Sequence, residues 1–201
     1  MANIKLNLSY IHKADREIKN GFSAKVIWFT GLSASGKSSV ANKLELELFR
    51  HGLAVFALDG DNLRHGLSSD LGFSSEDRFE NLRRAGEICK LFLESETFVL
   101  ASFISPLKTD RAMVKELIGE KNFIEVFCSA PLDLCKTRDP KGLYKKALNG
   151  EILNFTGVGA PYEIPDSPDL VLDTQNKDID MCVNDVLEFL FKAKISPPFL
   201  F

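Results

Sequence analysis

The sequence predicts an α/β protein built on one mainly parallel sheet of five strands. Short apolar, β-rich runs alternate along the chain with segments in which apolar residues recur at helical spacing, as when parallel strands are joined by crossover helices. A chain of 201 residues, 45% of them hydrophobic, is long enough for one complete core. A glycine-rich loop directly follows the first apolar run and directly precedes a helical pattern. These observations favour a single globular domain of the α/β class.

The five predicted strands are apolar runs bounded by polar or turn residues. In chain order they are KVIWFT (25–30), AVFALD (54–59), FVLASF (98–103), FIEVFC (123–128) and DLVLD (169–173). Between these strands, apolar and small residues recur at the spacing of a helix. The first set is Val40, Leu44 and Leu48, and the second is Phe79, Leu82, Gly86, Cys89 and Leu93.

The domain organisation follows from where this rhythm stops. We expect residues 1–24 to be a peripheral N-terminal segment, residues 25–193 to form the domain, and residues 194–201 to be a C-terminal tail. Within the domain, residues 137–168 are polar, rich in Gly and Pro, and too long for an ordinary connection. We interpret them as an insertion that closes over a ligand, and we call them the lid.

Composition and charge exclude several classes of protein. The net charge is −3 and the Lys and Arg residues form no block, which argues against a nucleic-acid partner. No apolar run reaches the roughly 18 residues of a membrane span, and the first residues lack the pattern of a signal peptide. We therefore expect a cytoplasmic protein with no membrane partner. The four cysteines form no CxxC pair, so buried free thiols are expected.

The loop GLSASGKS, residues 31–38, carries the strongest chemical signal. A glycine, four residues and then Gly-Lys-Ser, placed between a strand and a helix, is typical of a loop that binds nucleotide phosphates. Lys37 would neutralise β- and γ-oxygens, and Ser38 would hold Mg²⁺. The alternative is a chance Gly-rich turn. The predicted contacts to ATP are Gly31, Leu32, Ser33, Ala34, Ser35, Gly36, Lys37, Ser38 and Ser39.

Acidic residues at the end of the second strand indicate a transfer reaction. In LDGDNLRHG, Asp61 and Arg64 should lie near the γ-phosphate, because ligands of open α/β sheets gather at the carboxyl ends of strands. Asp61 could orient an acceptor hydroxyl and take its proton, or hold the water shell of Mg²⁺. A helix N-cap is the alternative role. The chain lacks the Asn-Lys-x-Asp signature of guanine-specific switches. A mechanical ATPase would usually end a later strand with an acidic residue, whereas FVLASF is followed by Ile104, Ser105 and Pro106.

A second group of residues suits a flat, anionic acceptor. Phe73 lies in a Gly-containing turn, and Arg78 and Asn81 share one face of the helix that follows. An aromatic ring can stack on a base, and guanidinium groups bind oxyanions. Alternatively, Phe73 belongs to the core and the arginines pair with glutamates of their own helix. The cationic stretch of the lid, RDPKGLYKK, could screen developing charge or could be a solvated charge run.

Several motifs together resemble one family. The stretches GLSASGKSS, DGDNLRHGLSSDLGFSSEDRFENLRR, SFISP, DPKGLYKKA, FTGV and PYE occur in the order found in adenylylsulfate (APS) kinases, and the resemblance covers about residues 25–173. It implies a three-layer α/β/α P-loop kinase fold with a lid. It also implies transfer of the γ-phosphate of Mg-ATP to the 3'-hydroxyl of adenosine 5'-phosphosulfate, which gives PAPS and ADP, in a homodimeric enzyme.

The resemblance assigns further roles residue by residue. Lys37, Asp61, Ser105 and Lys141 would be catalytic, Ser38 and Asp61 would hold the metal, and Arg138 would lie against the ATP base. The implied APS contacts are Asp61, Asn62, Leu63, Arg64, Phe73, Arg78, Asn81, Ile104, Ser105, Lys141, Leu143, Asn154 and Phe155. Phe73 and Phe155 would sandwich the adenine. Ser105 matches a serine described as a phosphorylated intermediate, although an in-line transfer to a hydroxyl needs no covalent step.

A few positions depart from the family pattern. Ala34 replaces the usual third glycine of the loop, which should be tolerated if its φ is negative and should weaken ATP binding if its φ is positive. Leu107 replaces a common tyrosine, and Gly159 and Ala160 replace a more acidic pair. Two other functions are considered: a kinase for another small metabolite, which would offer no ring to stack, and a nucleotide-binding regulatory protein without turnover.

Overall fold

The computed structural model describes Lys5, residues 9–193 and Ile195. In these residues five strands form one sheet in the order β2-β3-β1-β4-β5, and every neighbouring pair is parallel. The strands are β1 (Val26–Thr30), β2 (Val55–Asp59), β3 (Phe98–Ser102), β4 (Phe123–Ser129) and β5 (Leu170–Asp173). The predicted five-stranded parallel sheet is therefore confirmed, with ends that differ by about one residue.

Helices cover both faces of this sheet. They are α1 (Lys13–Asn20), α2 (Lys37–Arg50), α3 (Gly60–Arg64), α4 (Ser75–Glu94), α5 (Lys108–Ile118), α6 (Leu132–Arg138), α7 (Leu143–Leu148) and α8 (Ile179–Lys192). Helix α2 packs on α8, and α4 packs on α5. The chain steps one way along the sheet from β1 to β2 and the other way from β2 to β3. Because such crossovers are right-handed, α2 and α4 lie on opposite faces, which gives three layers.

The central strands are apolar because both of their faces are covered. Every residue of β1 and of β3 is buried. Trp28 in β1 stacks on Phe103, just after β3, with 4.7 Å between the ring centroids. The chain direction in a parallel sheet then brings the carboxyl ends of β1, β2 and β3 to one edge, where the glycine-rich loop, α3 and residues 103–107 begin.

The lid shares a small apolar core with α6, the helix that leads into it. Cys135 of α6 and Tyr144, Ala147 and Phe155 of the lid form a cluster that is separate from the main core, and we call it the lid core. Helices α6 and α7 and a bridge between Thr156 and Ala160 give this segment regular structure. Burial of these side chains explains how a polar, Gly- and Pro-rich insertion can hold a defined shape.

Part of the N-terminal segment is attached to the domain. The Lys13 ammonium of α1 lies 2.9 Å from the Glu96 carboxylate, whose side chain is fully buried. The Ala24 amide donates to the same carboxylate at 2.9 Å. Residues 1–4, 6–8, 194 and 196–201 lie outside the described residues, and the proposed division into segment, domain and tail stays a prediction.

Two expectations drawn from composition can be compared with the fold. All four cysteines are buried and free, as predicted. Among the helices of the described residues, none combines the length and the apolarity that crossing a membrane requires.

Candidate active site

The glycine-rich loop joins β1 to α2 through unusual backbone conformations. Gly31 has a φ of 147°, and a side chain there would come within 2.7 Å of the Cys128 carbonyl oxygen. Gly36 has a φ of 96° and is the N-cap of α2, so the positive end of this helix faces the loop. Ala34 has a φ of 60°, whereas an alanine in place of the usual glycine was expected to be tolerated only at a negative φ. An alanine in this left-handed region costs roughly 1–2 kcal/mol.

Lys37 is buried beneath this loop. Its ammonium donates to the Gly31 carbonyl at 2.9 Å and to the Leu32 carbonyl at 2.6 Å. Burial lowers the pKa of Lys37 to about 8. These carbonyls hold the ammonium inside the loop, next to the backbone N–H groups that would bind phosphates.

Ser38 is held by a carboxylate at the end of β2. The Ser38 hydroxyl donates to Asp59 Oδ2 at 2.6 Å, and Asp59 Oδ1 accepts the amide of Asp61 at 2.9 Å. Asp59 is therefore the N-cap of α3. The Asp61 side chain is left for another partner, so the capping role considered for Asp61 belongs to Asp59 instead.

Asp61 pairs with the lid. Its carboxylate forms a hydrogen-bonded ion pair with the Lys141 ammonium, and both side chains are more than half exposed. This hydrogen bond raises the pKa of Lys141. The contact joins α3 to the segment between α6 and α7, and it brings two of the predicted catalytic residues together.

Arg64 and Phe73 lie against each other on the β2 side of the loop. The Arg64 guanidinium carbon is 4.5 Å from the centre of the Phe73 ring. The same guanidinium donates to the Gly72 carbonyl at 2.6 Å. Phe73 is 65% exposed, so it is not a core residue, and one of its faces is available to a flat ligand.

Arg78 fastens the start of α4 to the lid. It donates to the Phe73 carbonyl at 3.0 Å, to the Asn154 carbonyl at 2.7 Å and to the Thr156 hydroxyl at 3.1 Å.

The next two arginines of the helix form ion pairs instead. Arg83 and Arg84 both pair with Glu80, and Arg84 also pairs with Asp70. The arginines of this helix thus divide into one that contacts the lid and others that form ion pairs.

Two further predicted acceptor contacts are buried. Asn81 is 5% exposed, and its Oδ1 atom has no hydrogen-bond partner in the described residues. Such an unpaired buried oxygen is costly unless a ligand or water satisfies it. Phe155 packs edge to face on Tyr144 at 5.0 Å in the lid core. The adenine sandwich between Phe73 and Phe155 stays a prediction.

Ser105 lies under the site with its hydroxyl fully engaged. The Trp28 indole N–H donates to Ser105 Oγ at 3.1 Å, and Ser105 Oγ donates to Thr30 Oγ1 at 3.0 Å. The residue is 2% exposed and has a φ of 38°. Its buried hydroxyl is placed to hold the turn after β3 rather than to receive a phosphate.

Arg138 and Thr174 lie beside the glycine-rich loop, next to the end of β5. Arg138, at the end of α6, donates to the Thr174 carbonyl at 2.6 Å. Thr174 follows β5, and a side chain on Gly36 would be 3.8 Å from it. This places Arg138 near the loop, and its contact to the ATP base stays a prediction. Of the other predicted contacts, Leu63 is a core side chain, whereas Asn62 and Ser39 are exposed.

Comparison with known proteins assigns the chain to a family. The sequence pattern of the adenylylsulphate kinases matches residues 23–173. The chain belongs to the adenylylsulphate kinase family. It is 50% identical over 194 residues to the adenylyl-sulfate kinase of Prochlorococcus marinus, with 96% of each chain covered. It is 52% identical over 194 residues to that of Clostridium kluyveri, with 94% of this chain and 96% of the relative covered.

A solved structure of the same family has a similar fold over most of the chain. The APS kinase of Mycobacterium tuberculosis, in complex with AMPPNP and APS, superposes with a TM-score of 0.82 and 48% identity. The match covers 84% of this chain and 98% of that one. This agrees with the P-loop kinase fold that the resemblance implied.

Four polar residues of this adenylylsulphate kinase site were not predicted from the sequence. They are Asp59, which holds Ser38, Thr174, which holds Arg138, and Thr30 and Tyr162, whose hydroxyls lie 2.9 Å apart. Asp59 could have been found, because it ends the same strand that presents Asp61. Tyr162 lies in the quoted PYE motif, but its partner is 132 residues away in the sequence.

Proposed function

We propose that this chain transfers the γ-phosphate of ATP to the 3'-hydroxyl of APS, giving PAPS and ADP. The observation that carries the proposal is the pairing of Asp61 with Lys141. It lies between a loop that suits nucleotide phosphates and the region of Phe73 and Arg78, which suits a flat, anionic acceptor. Membership of the adenylylsulphate kinase family supports the same reaction.

The transfer is a displacement at the γ-phosphorus. The acceptor oxygen forms a bond to phosphorus while the bond from phosphorus to the bridging oxygen of ADP breaks, and the hydroxyl proton leaves to a base. In this proposal Asp61 would orient that hydroxyl and take the proton. Lys37 and Lys141 would balance the charge that develops on the transferred group and on the leaving group.

The donor set also suits Mg²⁺, which we include in the proposal. Ser38 and Asp59 present hard oxygen atoms 2.6 Å apart at the foot of the loop, and oxygen donors are the ligands that Mg²⁺ prefers. Ser38 would bind the ion directly, and Asp59 would orient the Ser38 hydroxyl, with Asp61 reaching the hydration shell. When bound, the ion would neutralise the β- and γ-oxygens of ATP.

The remaining site residues have positioning roles in this proposal. Arg64 and Arg78 would meet the anionic end of APS, Phe73 and Phe155 its adenine, and Asn81 a polar edge of the same ligand. The buried, unpartnered oxygen of Asn81 supports such a contact. Ile104, Ser105, Leu143 and Asn154 would complete the wall. The proposal also includes a homodimeric cytoplasmic enzyme, as the family resemblance implies.

The test is an assay of both products. Purified protein, Mg²⁺, ATP and APS should yield PAPS and ADP in equal amounts, and ATP alone should yield almost no ADP. Lys37→Ala should abolish both products, whereas Lys192→Ala, at a largely exposed position in α8, should leave the rate unchanged. ADP without PAPS would mean another acceptor, and no ADP from the unaltered protein would favour the regulatory function.

A further inference from the structure

A buried chain of hydroxyl groups links β1 to the turn after β3. The indole N–H of Trp28 can only donate, so Ser105 Oγ accepts a hydrogen bond from it at 3.1 Å. Ser105 Oγ in turn donates a hydrogen bond to Thr30 Oγ1 at 3.0 Å. Thr30 Oγ1 then donates to the Ile104 carbonyl at 2.8 Å. Each hydroxyl also has a second possible acceptor at 3.5 Å, the Phe103 carbonyl for Ser105 and the Ser105 carbonyl for Thr30, and the shorter contact defines the direction of its proton.

The C-terminal part of the lid contacts the same threonine through Tyr162. Tyr162 OH lies 2.9 Å from Thr30 Oγ1, and since the Thr30 proton is used by the Ile104 carbonyl, the phenol is the donor. The Tyr162 ring stacks on Phe127 of β4 with 6.1 Å between the centroids. Burial raises the pKa of Tyr162 to about 12, so the phenol keeps the proton that it donates.

A second set of contacts connects the C-terminal part of the lid to the turn after β3. Arg111 of α5 is 4% exposed and donates to the Ser105 carbonyl and to the Glu163 carbonyl, each at 2.7 Å. Its Nε lies 2.8 Å from the Glu125 carboxylate. The Glu163 amide donates to the Pro106 carbonyl at 2.8 Å. The end of the lid is therefore attached to the turn at residues 104–106 by backbone and side-chain bonds.

The backbone of this turn depends on such support. Strand β3 ends at Ser102, and Ser105 has a φ of 38°, which is strained for a residue other than glycine. Thr30, in contrast, belongs to a fully buried central strand paired on both sides. Loss of the hydrogen bond at Thr30 should therefore disturb the turn and the lid more than the glycine-rich loop.

We propose that the Tyr162 hydroxyl is a positioning group that couples the end of the lid to the Ile104–Ser105 turn through Thr30. Its effect is on the wall of the acceptor site, so this inference rests on the proposed function for its kinetic consequence. Tyr162 does not touch the reacting atoms in this proposal. It acts through Thr30, whose hydroxyl connects β1, the turn and the lid.

The kinetic test is a comparison of the two substrates. Tyr162→Phe keeps the ring and removes one hydrogen bond, so KM for APS should rise about three- to tenfold while KM for ATP changes less than about twofold. Tyr10→Phe, at a fully exposed tyrosine, is the matched control and should change neither value. Equal changes for both substrates, or none for either, would overturn the coupling.

Variants of Thr30 separate the hydroxyl from the shape of the side chain. Thr30→Val should raise KM for APS at least as much as Tyr162→Phe, and Thr30→Ser, which keeps the hydroxyl, should restore most of the loss. Because both residues act through one contact, adding Tyr162→Phe to Thr30→Val should have little further effect. Additive losses would mean that the two hydroxyls act independently, contrary to the proposal.

A measurement without substrates distinguishes failure of this inference from failure of the proposed function. Hydrogen exchange at the Glu163 amide should be faster in Tyr162→Phe than in the unaltered protein, and unchanged in Tyr10→Phe. If the unaltered protein makes no PAPS but this difference is present, the reaction is wrong and the coupling stands. If PAPS forms and exchange at Glu163 is unchanged, the coupling is wrong.

Discussion

The Ser38 hydroxyl donates a 2.6 Å hydrogen bond to Asp59 Oδ2, which joins the end of the phosphate loop to the end of β2. The oxygen atoms of Ser38, which follows β1, and of Asp59, which ends β2, therefore lie together although β3 separates these two strands in the sheet. A carboxylate that accepts this proton turns a lone pair of Ser38 toward a cation and makes the oxygen a better ligand. The same carboxylate also caps α3, which carries Asp61.

Asp59→Asn should therefore weaken the use of Mg²⁺. The amide is neutral and a poorer acceptor, and loss of such a supporting group typically costs about 10–100-fold in metal affinity. We expect the Mg²⁺ concentration for half-maximal rate to rise by about tenfold or more at fixed ATP. Asp185→Asn, which removes a charge from α8 that is paired with Lys177, is the control. An unchanged Mg²⁺ requirement in Asp59→Asn would exclude this role.

The two predicted aromatic contacts differ in burial, and their alanine variants should differ accordingly. Phe73 is 65% exposed, so Phe73→Ala should change the free energy of unfolding by less than about 0.5 kcal/mol. Phe155 is 8% exposed in the lid core, so Phe155→Ala should lower it by about 3 kcal/mol. Both should raise KM for APS by about tenfold, because each loses a stacking surface.

Urea unfolding and steady-state kinetics measure the two effects separately. If Phe73→Ala destabilises the protein as much as Phe155→Ala does, Phe73 contributes to the core in solution. If KM for APS is unchanged in Phe73→Ala, its ring does not contact the acceptor.

Ala34 occupies a backbone conformation that suits glycine, with a φ of 60°. Ala34→Gly should raise the free energy of unfolding by about 0.5–1 kcal/mol, because relief of the left-handed strain exceeds the added flexibility of the unfolded chain. It should also tighten binding of AMPPNP. Ala41→Gly, in the interior of α2, should have the opposite effect on stability by a comparable or larger amount. Destabilisation by both variants would show that the loop strain is negligible.

The sheet and the phosphate loop could be predicted from the sequence because their signals are local. Strands such as β1 and β3 are buried on both faces, so they appear as continuous apolar runs. The stripe assigned to α4 was less accurate. Phe79 is 41% exposed because the buried residues of this helix begin only at Asn81, and its first turns border the site instead of the core.

The cross-chain contacts of the site could not be predicted in the same way. Arg78 was expected near an anion, yet its present partners are the Asn154 carbonyl and the Thr156 hydroxyl of the lid. The Thr30–Tyr162 contact joins residues 132 positions apart, and neither periodicity nor spacing indicates such pairs. These contacts depend on how the lid returns across the sheet, which is decided by tertiary packing.

The engaged hydroxyl of Ser105 provides a test of covalent catalysis. Ser105→Ala should lower turnover by about tenfold, because Trp28 loses an acceptor and the turn loses a support, but PAPS should still form. A phosphoserine intermediate requires complete loss of PAPS formation. Ser95→Ala, at an exposed serine after α4, is the control. Product formation is followed by chromatography, and no PAPS above background from Ser105→Ala would restore the covalent role.

The buried ammonium of Lys37 should make nucleotide affinity depend on pH. Its pKa is lowered to about 8 by burial, so without nucleotide it loses its proton above that pH, whereas bound phosphates favour the charged form. Binding is then linked to proton uptake above about pH 8. The Kd for AMPPNP should be nearly constant below about pH 8 and should rise by up to about tenfold per pH unit above it. Lys37→Arg should bind more weakly but show a flat profile, because a guanidinium stays charged. Calorimetry between about pH 7 and about pH 10 gives both profiles, and a flat profile for the unaltered protein would mean that Lys37 keeps its proton without nucleotide.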